Sequence, residues 1–166
     1  MMHNALIAIG GNLVADGFAT IEDVLSAAIS DLAQCDLKII AQSGWFETAP
    51  VPISDQPWFV NGVLQVETKL SAIALLHELH RIEAEFGRIR SVRNEARILD
   101  LDLIDFDAKI EDSEAITIPH PRMHHRAFVL LPLSDIAPDW QHPIYNKSLS
   151  QLISEMPEGQ EIRRKS

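Results

Sequence analysis

The chain has 166 residues with 14 Lys+Arg against 24 Asp+Glu, a formal net charge of −10, and its 46% hydrophobic and 23% charged residues are those of an ordinary globular domain. That composition excludes a globally disordered chain, and the length suits one domain over residues 1–166. The acidic balance argues against nucleic acid or anionic membrane as a partner. No apolar run reaches 18 residues, and a lone Cys35 excludes an internal disulfide framework. The Met1-Met2-His3-Asn4 start has neither a basic nor a long apolar stretch, so no signal peptide is expected. The expectation is a cytoplasmic, acidic protein of one domain that acts as a monomer.

Asn4 to Ile9 is a short apolar run stopped by Gly10-Gly11-Asn12, the pattern of a buried strand entering a tight loop. Helical spacing follows from Thr20, the N-cap, to Ala33, with Ile21, Val24, Leu25, Ala28, Ile29 and Leu32 on one stripe. Leu37 to Phe46 and Trp58 to Thr68 read as strands. Between them Pro50, Pro52 and Pro57 stiffen an extended loop. Ser71 caps a second helix to Phe86, ended by Gly87. Ile98 to Phe106 reads as a strand, and a hairpin-like stretch ends at Ile116-Thr117-Ile118. Residues 126–137 are apolar and helical, with Pro132 expected in the first turn or at a break. The polar tail after Pro157 is expected to fray. The order β-α-β-β-α-β with a further helix predicts an α+β sandwich of ferredoxin-like type.

The stretch Ile98-Leu99-Asp100-Leu101-Asp102-Leu103-Ile104-Asp105-Phe106 carries the most chemistry. With a period of two, Asp100 and Asp102 share one face, flanked there by Ile98, Ile104 and Phe106, while Leu99, Leu101 and Leu103 take the other. Two carboxylates side by side in an apolar setting repel unless a cation or arginine neutralises them. Such a pair suits Mg²⁺, which takes oxygen ligands and keeps places for phosphate and water. Two surface aspartates on a solvated strand would be the plain alternative.

Positive charge is concentrated where it could meet phosphate. Of nine arginines, five are Arg81, Arg88, Arg90, Arg93 and Arg97, and Arg122 and Arg126 lie beside His120, His124 and His125. Guanidinium forks suit phosphate oxygens, and the polar run 88–97 reads as a loop able to close over an anion. Arg81 reads instead as a solvated helix residue near the C-terminal end of its helix. Other motifs fail. Gly10-Gly11-Asn12-Leu13 is neither a dinucleotide fingerprint nor a P-loop, and His77-Glu78-Leu79-His80 lacks the spacing of a zinc protease. Cys35 has no base beside it in sequence.

The blocks Ile9-Gly10-Gly11-Asn12-Leu13, Thr48-Ala49-Pro50, Asp55-Gln56-Pro57-Trp58-Phe59-Val60-Asn61, Ile82-Glu83-Ala84-Glu85-Phe86-Gly87-Arg88-Ile89-Arg90, Arg97-Ile98-Leu99-Asp100-Leu101-Asp102 and Ile118-Pro119-His120-Pro121-Arg122 occur in this order. In them the chain resembles the 6-hydroxymethyl-7,8-dihydropterin pyrophosphokinase family, over about residues 5 to 145. The resemblance implies transfer of pyrophosphate from ATP to the pterin hydroxymethyl group, with AMP leaving, in folate biosynthesis. It implies two Mg²⁺ ions on Asp100 and Asp102, and Arg88 and Arg97 as loop arginines closing on the phosphates. It also implies nucleotide contacts by Glu83, Arg90, Arg97, Leu103, Thr117, His120, Pro121 and Arg126. The pterin pocket would comprise Thr48, Ala49, Pro50, Val51, Phe59, Asn61 and Phe128. The sequence departs from the family where Asn94-Glu95-Ala96 stands in place of Trp-Gly-Pro, at Ala49 in place of Pro, and at Gly11 in place of Ser. The alternative reading is a non-catalytic pterin- or nucleotide-binding module of the same fold.

Overall fold

The computed structural model describes residues 1–50, 54–87 and 98–165. Eight strands and four helices follow in chain order: β1 (His3–Gly11), α1 (Ile21–Ala33), β2 (Leu37–Gln42), β3 (Phe46–Thr48), β4 (Phe59–Thr68), α2 (Ala72–Glu85), β5 (Asp100–Phe106), β6 (Glu111–Asp112), β7 (Thr117–Ile118), α3 (Ala127–Ile136), α4 (Leu149–Ser154) and β8 (Ile162–Arg164). The main sheet runs β5-β1-β4-β3-β8, with β2 also on β4, and every pairing in it is antiparallel. This is the ferredoxin-like order expected from the sequence. β6 and β7 form a separate hairpin.

Both helix caps read from the sequence are in place. Thr20 Oγ1 accepts the Asp23 N–H, and Ser71 Oγ accepts the Ala74 N–H. Gly87 has φ +85°, the left-handed conformation that ends α2 without a Cβ clash. One face of the sheet packs on α1 and α2 through Ile7, Ile9, Leu25, Leu32, Leu64, Leu79, Ile82, Leu99 and Leu101. The other face packs on α3 and α4 through Leu6, Ala8, Val63, Ile104, Leu130, Leu133 and Leu152. A strand covered on both sides loses polar alternation. That accounts for β4, whose residues 60–64 are all buried.

Four expectations need correction. The strand expected over residues 37–46 is two strands, because Ser43 Oγ takes the Val63 N–H and interrupts the ladder before Phe46. Phe106 does not flank Asp100 and Asp102. A register shift between Leu6 and Ile7 turns Phe106 to the α1/α2 face, leaving Ile104 beneath α3. The third helix runs through Pro132 without breaking, held by Val129, Leu130 and Leu133 against the sheet. The tail does not fray: β8 pairs with β3 from Phe46↔Arg164 to Thr48↔Ile162.

Side chains fasten that last strand. The Arg164 guanidinium donates to both carboxylate oxygens of Asp135 on α3, at 2.7 and 3.0 Å, and lies 4.6 Å over the Phe46 ring. Arg163 stacks 4.7 Å over Trp58. Asp135 also accepts the Gly44 N–H at 3.0 Å, and Arg164 holds its carboxyl below the usual carboxylate range. Asp135→Ala should therefore lower stability by about 1–2 kcal/mol, a few degrees of Tm, in thermal unfolding. A variant melting with the parent would mean that the strand is not held from α3.

Candidate active site

The geometry of the site begins with the strand register. β1 lies between β5 and β4 so that Asp100 stands opposite Gly10 and Gly10 opposite Asn61. Directly opposed residues point to the same face, so Asp100 and Asn61 share a face two strand spacings apart, roughly 10 Å. Between them Gly10 has no side chain, and a Cβ there would run into Asn61 Oδ1. The next row on this face, Asp102, Ala8 and Val63, closes the floor: Ala8 and Val63 are buried under α3. The result is a row with two half-buried carboxylates on one side and, on the other, a buried carboxamide whose oxygen lies over Gly10.

The carboxamide side is firmly held. Asn61 Nδ2 donates to Thr48 Oγ1 at 2.8 Å, and both residues are buried. That bond orients the amide. Pro50 is buried, Ala49 is half-buried and its N–H donates to Glu161 O at 3.1 Å, and half-buried Phe59 stands opposite Thr48 in the ladder. Across the face, Phe128 sits half-buried in the first turn of α3, with the Arg126 guanidinium 5.3 Å from its ring centre. Asn12, only 1% exposed, ties the turn after β1 to the proline loop. Its Nδ2 donates to Gln56 Oε1 at 3.1 Å and Pro57 O at 3.0 Å. The sequence reading assigned Asn12 and Gln56 no role. The available signals were an asparagine directly after a Gly-Gly stop and the place of both residues in the blocks that carry the family resemblance.

On the carboxylate side, Glu83 is 1% exposed, and its Oε2 accepts the Leu101 N–H at 2.9 Å. Leu101 lies between the two aspartates, so the α2 carboxylate fixes the backbone that carries them. Burial pushes the His120 imidazole down to about 4, and the positive charges of Arg126 and Arg122 act the same way, against the opposing pull of Asp100. His120 is therefore neutral at neutral pH. Its Nδ1 accepts the Arg122 N–H at 3.2 Å, which leaves the proton on Nε2 as a donor. Asp100 and Arg126 thus both act on His120, with opposite sign.

Other expected residues are placed differently. The Leu103 side chain is buried in the core on the opposite face, so only its main chain could meet a nucleotide. Thr117 is exposed on β7, with Oγ1 donating to Asp112, and Pro121 is exposed beside His120. Val51, Arg88, Arg90 and Arg97 lie outside the described residues. Arg81 is a surface residue, as expected, paired with Glu78 at 2.7 Å and Glu85 at 2.6 Å. Burial and the Glu78 carboxylate 3.4 Å away push the Cys35 thiol up, which disfavours a nucleophilic thiolate.

Asp100 and Asp102 fit a magnesium ion on chemical grounds. Mg²⁺ commonly takes one or two carboxylates from a protein and completes its octahedron with phosphate and water. Both carboxylates are only half-buried, which leaves such ligands access. The class these features define is an α+β sandwich with two neighbouring carboxylates on its edge strand β5, in register with a glycine and a buried asparagine.

Comparison with known proteins narrows that class. The sequence profile of the 7,8-dihydro-6-hydroxymethylpterin-pyrophosphokinase family matches residues 6–138. The 2-amino-4-hydroxy-6-hydroxymethyldihydropteridine pyrophosphokinase of Haemophilus influenzae is 40% identical over 156 residues, covering 93% of this chain and 91% of that protein. The protein of the same name from Synechocystis sp. is 37% identical over 155 residues, covering 93% of this chain and 76% of the relative. The folic acid synthesis protein fol1 of Schizosaccharomyces pombe is 35% identical over 154 residues, and the chain spans only 20% of its length. The crystal structure of Plasmodium falciparum HPPK-DHPS A437G with STZ-DHP shares the fold at a TM-score of 0.68 and 16% identity, over 93% of this chain and 45% of that one. The chain belongs to the 7,8-dihydro-6-hydroxymethylpterin-pyrophosphokinase family.

The glycine floor makes a direct prediction. Gly10→Ala should force the Asn61 amide off Thr48 and cost about 1–3 kcal/mol in urea unfolding. Asn61→Ala in the Gly10→Ala background should recover part of that loss by removing the obstructing side chain. Gly10→Ala with an unchanged midpoint would contradict the close approach.

Proposed function

We infer that the protein transfers the β,γ-pyrophosphoryl group of ATP to the hydroxymethyl oxygen of 6-hydroxymethyl-7,8-dihydropterin, forming the pterin diphosphate and AMP in folate synthesis. The observation that carries this reading at atomic level is the in-register row Asp100, Gly10 and Asn61. The row supports a reading in which Asp100 holds a cation and the Asn61 amide reads a planar ring on the same face of the sheet.

In this reading the pterin ring lies over the Asn61 end. Thr48 orients the Asn61 amide to bond the ring edge, main-chain groups of Ala49 and Pro50 line the slot, and Phe59 and Phe128 hold the ring faces. The family resemblance assigns Val51 to the same pocket. ATP lies toward α3 and the β5 end. Neutral His120 donates from Nε2, Arg126 supplies fixed positive charge, and Pro121, Thr117 and the Leu103 main chain flank the nucleotide. Arg88, Arg90 and Arg97, by their place in the sequence, meet the phosphates. Glu83 acts by holding the Leu101 peptide, which keeps both carboxylates aimed across the floor.

Asp100 and Asp102 would hold magnesium, two ions in the full complex. When bound, the metal neutralises triphosphate charge and stabilises the attacking and leaving oxygens. The pterin hydroxyl oxygen bonds to Pβ while the bond from Pβ to the α,β-bridging oxygen breaks, and that oxygen departs with AMP. The hydroxyl proton passes to a carboxylate of the aspartate pair. Most of the rate then comes from alignment and charge complementarity, as phosphoryl transfer requires.

Pterin-dependent AMP release, followed with and without magnesium, tests this assignment. Asp100→Asn and Asp102→Asn should each lower kcat by roughly 10²–10³-fold while circular dichroism stays native. Chelation of the metal should abolish turnover. Turnover that survives either substitution would remove the aspartates from the reaction. A protein that binds pterin but forms no AMP would be the non-catalytic module.

A further inference from the structure

We propose that Gln160 is a positioning residue for ATP, setting the backbone of Arg126 through a two-sided amide clamp. The inference rests on the reading of Arg126 as a nucleotide contact. Gln160 Oε1 accepts the Ala127 N–H at 2.9 Å, and Gln160 Nε2 donates to His125 O at 2.8 Å and to Pro157 O at 3.3 Å. The peptide groups on either side of Arg126 are therefore gripped by one side chain. The angle between those two peptide planes is what φ and ψ of Arg126 describe, here −108° and 109°. Pinning both planes fixes these angles, and with them the direction in which the Arg126 side chain leaves the chain.

Main-chain bonds take the other group of each plane: the Arg126 N–H donates to Met123 O at 3.1 Å, and Arg126 O accepts the Val129 and Leu130 N–H groups at 3.0 Å, so Gln160 holds the carbonyl of one plane and the N–H of the other that the helix leaves over. Arg126 is the N-cap of α3 but makes no side-chain capping bond, so the first N–H groups of α3 get no help from its own side chain. A guanidinium on a long, flexible stem delivers charge to a defined place only if its root is fixed, since each free rotor adds entropy that binding must overcome. Arg126 is half-buried and lies over the Phe128 ring, so a change in its root angles would move both the cation and the aromatic beside it.

Gln160 also joins two halves of the site. The next residue, Glu161, accepts the Ala49 N–H at 3.1 Å, and Ile162 then pairs with Thr48 on β3. Three consecutive residues thus run from the nucleotide arginine to the pterin wall. Because β8 is docked on β3 and held to α3 by Arg164, Gln160 has a rigid base from which to grip Arg126.

The test is a double-mutant cycle of Gln160→Met and Arg126→Ala, read by calorimetry with magnesium and α,β-methylene-ATP as probe. Gln160→Met keeps the bulk and removes both hydrogen-bonding groups. It should weaken the nucleotide analogue about tenfold while changing pterin affinity by less than about twofold. In the Arg126→Ala background the same change should add nothing, because the group being positioned is absent. Equal losses in both backgrounds, or nucleotide affinity unchanged in Gln160→Met, would overturn the proposal while leaving the Arg126 assignment intact. Full nucleotide affinity in Arg126→Ala would instead overturn that assignment, and the proposal with it. Should Gln160→Met fail to fold, Gln160→Glu retains the acceptor for Ala127 and loses the donor to His125. It carries the same expected loss and the same contradicting outcomes.

Discussion

The site depends on a residue that contributes no side chain. Gly10 stands in register between Asp100 and Asn61, and only a glycine leaves the Asn61 amide where it is. Any side chain at that position would displace the Asn61 amide. The hydrogen-bond ladder of β5, β1 and β4 then does what loops seldom do: it fixes the spacing between the Asp100 carboxylate and the Asn61 amide. Supporting contacts are arranged around this row. Glu83 holds the Leu101 peptide from behind, Thr48 orients Asn61, and Asn12 anchors the proline loop to the end of β1.

Charge is arranged against the overall balance of the molecule. A net charge of −10 belongs to a chain whose arginines are concentrated near residues 81–97 and 122–126. Two described groups of the site keep this local bias in different ways. Arg126 supplies permanent charge, and His120 is held neutral by burial and by that same arginine, so it can offer a hydrogen bond without adding a titrating charge. Elsewhere arginines are paired on the surface, as at Arg81 with Glu78 and Glu85, or at Arg164 with Asp135.

Much of this was legible in the sequence, for identifiable reasons. Helices α1 and α2 announced themselves by their caps and stripes, and the alternation of Leu99, Asp100, Leu101 and Asp102 is enough to put the carboxylates on one face. What was missed lay in long-range pairing. A serine hydroxyl replacing a main-chain acceptor at Ser43, a register shift that turned Phe106, and a tail strand that needs β3 for a partner leave no local trace. The polar composition of residues 158–166 suggested fraying because cation–aromatic stacking of Arg163 and Arg164 depends on Trp58 and Phe46, more than a hundred residues away. Leu103 shows the converse: its place in the sequence suggested a ligand contact, and its side chain is in the core.

The most direct test of pyrophosphoryl transfer across this face is the identity of the phosphorus products. ³¹P NMR of the wild-type protein with ATP, magnesium and 6-hydroxymethyl-7,8-dihydropterin should show AMP and a pterin diphosphate rising together in equal amounts. Formation of ADP with a pterin monophosphate, or consumption of ATP without pterin, would contradict it.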